Sequence, residues 1–241
     1  MKPINKMRNL SFLTLLLIST ACSTDTVGEF NDGQNDVIQS HLTKKTGVVD
    51  NIVANSSNPY DHIGEAYLSL LDNYVSVDPK PESSSDVIEL LETIGGDIGF
   101  LSADYTPESL LSIDTVQQLS IDDLNLALSQ SGLSNSAQSL LLNCINGLLY
   151  LKEQDASYDE AYTYLVSFES AVLSSNLSSD EKEILLSTLS IVRYDIYNTS
   201  ARKKKDRDWE LSVGNFMATT YGAKKSLPNA IISAGISNIL H

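Results

Sequence analysis

Apolar residues recur along this chain at three- and four-residue spacing and almost nowhere alternate. In "NPYDHIGEAYLSLLDNYV", Ile63, Tyr67, Leu70 and Tyr74 fall on one helical face, with Ala66 and Leu71 beside them. Asn58 is placed to cap that helix and Pro59 to open its first turn. Pro79 and Pro81 mark a break, after which "SSDVIELLETIGG" turns Val87, Leu90, Leu91 and Ile94 inward from a cap at Ser84 or Ser85, with Gly95 as its stop. Short helices are predicted in "TPESLLSI" and from Ser120 to Gly132, where Leu124 and Leu128 are in register. "SNSAQSLLLNCINGLLYLKEQ" is apolar on more than one face, which predicts the central helix. Two capping boxes, Ser157 with Glu160 and Ser178 with Glu181, predict two further helix starts. The first of these helices carries Ala161, Leu165, Phe168 and Val172 on its apolar face, the second Ile184, Leu185, Leu189, Val192 and Ile196.

This pattern predicts an all-α fold, an irregular bundle of about six to eight helices closed by a C-terminal helical hairpin rich in small residues. No fixed repeat period appears, which disfavours a solenoid. Residues 58–200 form the expected acidic helical domain. Residues 201–241 form a basic linker and two Gly/Ala/Ser-bearing helices, expected to pack on the bundle.

The N-terminal 57 residues read differently. Lys2, Lys6 and Arg8 precede an apolar stretch at positions 10–18, the length of a secretory signal core and too short to cross a bilayer. It ends in Ser19, Thr20, Ala21 and Cys22, which resembles a bacterial lipobox. That pattern prefers Leu three residues before the cysteine, where this chain has Ser19, with Ile18 one step earlier. The resemblance implies removal of residues 1–21 as a signal peptide and lipidation of Cys22 with palmitate-type acyl chains. Each buried methylene of such a chain contributes about 0.8 kcal/mol to membrane attachment. The alternative is an ordinary signal cut after Ala21, which would leave an exposed, reactive thiol. Residues 22–57, rich in Ser, Thr, Asn, Asp and Gly, read as the lipidated cysteine and a flexible tether.

Charge narrows the partners. The chain carries a formal −15, and positions 1–21 hold three basic and no acidic residues, so the remainder has 13 basic against 31 acidic residues, or −18. Such a surface is a poor ligand for nucleic acid or for anionic lipid. With Cys22 acylated, Cys144 has no intrachain partner, and its apolar neighbours predict a buried, inert thiol.

Candidate chemistry is sparse. Asp61 and Glu65 are an i, i+4 pair with Asn58 and His62 nearby, but His62 lies about 100° round the helix from Asp61 and no second histidine follows. An N-terminal cap with an acidic first turn is the preferred reading, and no metal or other cofactor is expected. Of the three histidines, His41 falls in the tether and His241 is the last residue. No phosphate-binding glycine loop, zinc-binding His pair or Gly-x-Ser-x-Gly elbow is present, so the chain is not expected to be an enzyme.

The tail is the unusual part. Arg202, Lys203, Lys204, Lys205 and Arg207 lie within six positions and lead to Trp209, beyond which Glu210, Lys224 and Lys225 are the last charges. These five cations and Trp209 are the candidate membrane or partner contacts. Three readings compete: a hairpin that closes the bundle, a membrane-resting hairpin with interfacial Trp209 and Tyr221, or a segment ordered only by a partner.

Asn58, Asp61 and Gly64 form an Asn-x-x-Asp-x-x-Gly segment. Together with the glycine- and alanine-bearing C-terminus, it resembles a loose group of uncharacterised exported bacterial helical proteins. That group often continues with His-Asn, where this chain has Ala66 and Tyr67, and the resemblance brings no activity with it.

The expected function is therefore that of a non-enzymatic lipoprotein of the bacterial cell envelope. It would be held to a membrane by its N-terminal lipid, with a protein-interaction or envelope-maintenance role toward an unidentified envelope protein and no nucleic-acid partner. The alternative is a membrane-active, bacteriocin-like protein whose C-terminal hairpin inserts.

Overall fold

Apolar stripes at helical spacing must be buried against one another, and the computed structural model packs them as helix on helix. It describes residues 53–102, 105–107, 124–202 and 212–240. Among these are eight helices and no strand, an all-α bundle. They are α1 (Asp61–Ser76), α2 (Ser84–Asp97), α3 (Leu124–Gln130), α4 (Asn135–Glu153), α5 (Tyr158–Ser174), α6 (Ser179–Arg202), α7 (Val213–Lys225) and α8 (Leu227–Leu240).

The centre is α6, not α4 as the apolar sequence of α4 predicts. Every residue from 185 to 196 of α6 is buried, with α1, α5, α7 and α8 packed around it. By contrast, Leu142 and Leu149 of α4 are only partly covered and Tyr150 is 61% exposed. Two apolar clusters meet at α6. One joins α3, α4 and α5 to Leu185, Leu189, Val192 and Ile196, and the other joins α1, α2 and α8 to Ile191 and Tyr194.

The C-terminal helices belong to this core. Residues 228–237 of α8 are all buried, against α1, α2 and α7. The turn between α7 and α8 is the single residue Ser226, and the helices touch at Gly222, where a Cβ would stand 2.8 Å from the Ala230 Cα. A glycine there is what lets the two backbones approach.

Both capping boxes form. The Ser157 hydroxyl accepts from the Glu160 N–H while the Glu160 carboxylate accepts from the Ser157 N–H, and Ser178 and Glu181 exchange the same bonds. Glu181 also accepts from the Ser134 N–H at 2.8 Å, tying the start of α4 to that of α6. Other boundaries differ from expectation. Ser83 caps α2, and Gly95 lies buried inside that helix. Tyr60 occupies the N-cap position of α1 with no side-chain cap, and the Asn58 side-chain oxygen accepts from the Tyr60 N–H in the turn that leads into the helix. Residues 108–113 of "TPESLLSI" lie outside the described residues, as do residues 1–52.

Candidate functional site

The apolar stripes of α5 and α6 each carry one charge of opposite sign. Glu169 lies one turn beyond Leu165 on α5, and Arg193 one turn beyond Leu189 on α6. Both are fully buried, and they meet: the Arg193 Nε and Nη2 donate to Glu169 Oε1 at 3.3 and 3.2 Å. Nη2 also donates to Asp61 Oδ1, which makes an ion triad across α1, α5 and α6. Burial works against the charge of Arg193, but the attraction of Glu169 and then Asp61 outweighs it, leaving the guanidinium pKa raised. The guanidinium also stands 5.3 Å from the centre of the Tyr194 ring, whose own hydroxyl is pushed up in pKa by burial and by Asp61.

The rest of the coordination comes from the stretch before α1. Arg193 Nη1 donates to the Val53 carbonyl, and the Tyr162 hydroxyl donates to the Ala54 carbonyl at 2.9 Å. The Asn55 carboxamide donates to Glu169 Oε2 at 2.5 Å. Asn58 donates both to Glu169 Oε1 at 2.9 Å and to the Leu186 carbonyl at 3.0 Å, while its own side-chain oxygen accepts from the Tyr60 N–H. Asn55 and Asn58 are buried, whereas Ala54 before them and Ser56 and Ser57 between them face solvent.

One helical turn into α1, the Gly64 N–H donates to the Ser190 hydroxyl at 3.1 Å, and that hydroxyl donates to the Asp61 carbonyl. A Cβ on Gly64 would stand 2.8 Å from the Ser190 carbonyl oxygen and closer still to the Tyr194 ring. Asn58, Asp61 and Gly64 thus each hold a different part of α6, which gives the Asn-x-x-Asp-x-x-Gly segment a packing role. Asp61 serves Arg193 rather than the helix dipole alone, while His62 and Glu65 face outward.

Farther along α6, Asp195 forms a second polar junction. It accepts from the Tyr67 hydroxyl at 2.6 Å and from the Asn215 and Asn238 carboxamides, both at 2.9 Å, so it gathers α1, α7 and α8.

Chemically, the triad holds rather than reacts. Arginine does not give up its proton, and both carboxylates accept hydrogen bonds from partners that fix them. Among the described residues no group of three His, Cys, Asp or Glu side chains could hold a metal ion. Cys144 is buried, and burial followed by the Glu169 charge pushes its thiol pKa up, away from the reactive thiolate.

Of the residues singled out from sequence, Asn58, Asp61 and Gly64 belong to this arrangement. Cys22, Lys203, Lys204, Lys205, Arg207 and Trp209 lie outside the described residues, and Arg202 is the last residue of α6. Sequence reasoning missed Arg193, Glu169, Asn55 and Asp195. The available signal was a charge of opposite sign on each of two successive apolar stripes. No protein family, curated protein or solved structure matches this chain.

Proposed function

We propose that this chain is a non-enzymatic lipoprotein of the bacterial cell envelope: a lipid on Cys22, a tether, and an acidic helical domain that contacts an envelope protein. The observation that carries the reading is the position of Cys22, directly after a basic start, an apolar stretch and three small residues. The geometry adds a consistent joint. The stretch that would lead from the membrane meets the domain at Val53 and Asn55, which are tied to Arg193 and Glu169 in the core. The buried charges described above are spent on internal contacts, which leaves the exposed acidic faces of the helices as the surface for a partner.

The membrane-inserting alternative ranks lower, because α7 and α8 bury their apolar residues against α1, α2 and α6. Among the described residues no helix is long and apolar enough to cross a membrane. The anchor is tested by growing a bacterial host that expresses the full chain with a labelled fatty acid. The parent should take up label and Cys22→Ala should lose it; an unlabelled parent or an undiminished variant would remove the lipid from the reading.

A further inference from the structure

The segment at residues 53–57 is held almost entirely by polar contacts. Its tertiary bonds are Val53 to Arg193, Ala54 to Tyr162 and Asn55 to Glu169. Val53 is its only large apolar residue and is half-buried, while Ala54, Ser56 and Ser57 are exposed. The bundle draws its cohesion from the two apolar clusters, to which this segment adds little.

We propose that residues 53–57 are a latch, a strap that leaves and re-enters its seat as one unit while the helices stay folded. Three features make release inexpensive. Arg193 remains paired, since Nε and Nη2 keep Glu169 and Asp61 when Nη1 gives up the Val53 carbonyl. Asn58 stays behind as the hinge, fixed to Glu169 and to the Leu186 carbonyl, and its own carbonyl keeps supporting the start of α1 at the Asp61 N–H. The bonds inside the strap, Ser57 N–H to Asn55 Oδ1 and Asn58 N–H to the Asn55 carbonyl, form a small turn that does not persist undocked. The vacated seat offers one guanidinium N–H, one carboxylate oxygen and the Tyr162 hydroxyl, so release turns a closed polar core into an accessible one.

Hydrogen exchange followed by NMR on the full chain tests the latch, with the Ser57 and Asn58 amides as reporters. In the parent they should exchange well before the slowest amides of α6 and α8. Tyr162→Phe removes one bond to Ala54 and touches neither reporter. It should speed both reporters roughly fivefold, the factor set by one neutral hydrogen bond, and leave the α6 and α8 amides within about twofold. Asn55→Ala, which removes a bond to a charged carboxylate, should speed the Asn58 amide by about tenfold or more. Three results would each overturn the latch: reporters as slow as the core, reporters and core accelerated by a common factor, or an Asn58 amide indifferent to Tyr162→Phe. The last would mean that the strap frays residue by residue from its start.

Discussion

Replacing Gly64 with alanine adds one methyl group where α1 and α6 come closest. The new Cβ would lie 2.8 Å from the Ser190 carbonyl oxygen, well inside ordinary contact, and nearer still to the Tyr194 ring and the Ser190 hydroxyl. A backbone oxygen at the centre of a buried helix cannot step aside, so α1 must move outward. Overpacking of this kind costs about 1–3 kcal/mol. The same shift strains the Gly64 N–H bond to Ser190, whose net contribution is about 1 kcal/mol. Against this, alanine is the better helix former by about 1 kcal/mol. The balance is a destabilisation of roughly 2 kcal/mol, or about 4–8 °C in Tm for a domain of this size. Gly96→Ala is the control, because Gly96 is helical and exposed and a Cβ there meets no neighbour within 4 Å. That variant should equal or exceed the parent by up to ~1 kcal/mol. Thermal and urea melts of the two variants read the contrast directly. A Gly64→Ala protein as stable as its parent would refute the close approach of α1 to α6.

Two further outcomes follow from the charges. Arg193→Met leaves Glu169 buried without its cation and should cost about 3–5 kcal/mol in denaturant unfolding. In the folded chain Glu160 and Glu181 titrate below the ordinary glutamate value of 4.5, Glu160 because of its bonds with Ser157 and Glu181 because of those with Ser134 and then Ser178. Their contribution is therefore present above pH 4.5 and is lost as the pH falls through the lowered values, so acid should loosen the starts of α5 and α6. Glu160→Gln with Glu181→Gln should lower stability at neutral pH and lose less than the parent between roughly pH 5 and pH 3 in urea melts. Parallel pH profiles for parent and variant would contradict this.

What local chemistry decides was legible in the sequence. The starts of α5 and α6 follow from reciprocal bonds between residues three apart, and the burial of Cys144 follows from its apolar neighbours. The all-α class follows in the same way from spacing alone. The ion triad was legible only in part: a charge on each of two apolar stripes hints at Arg193 with Glu169, but Asp61 lies 132 positions from Arg193 and no periodicity announces that pairing. The reading of Asn58 as a cap catches its bond from the Tyr60 N–H but not the two that its carboxamide donates, to Glu169 and to the Leu186 carbonyl, 111 and 128 positions away. The central position of α6 was hidden by its buried polar residues: Ser190, Arg193 and Asp195 look like a solvent face until their partners on α1, α5, α7 and α8 are known, and the Ser187 hydroxyl turns back to the Glu183 carbonyl of its own helix.

The burial of α8 between α1 and α2 also sets an order of events in synthesis. Leu70 and Leu91 sit against Gly235, so the groove made by the first two helices stays open until the chain has been extended some 140 residues further. A growing chain cannot close this core early, and one stopped before α8 leaves it unfilled. Late closure makes any prematurely terminated product an unfinished bundle with an apolar groove exposed to proteolysis.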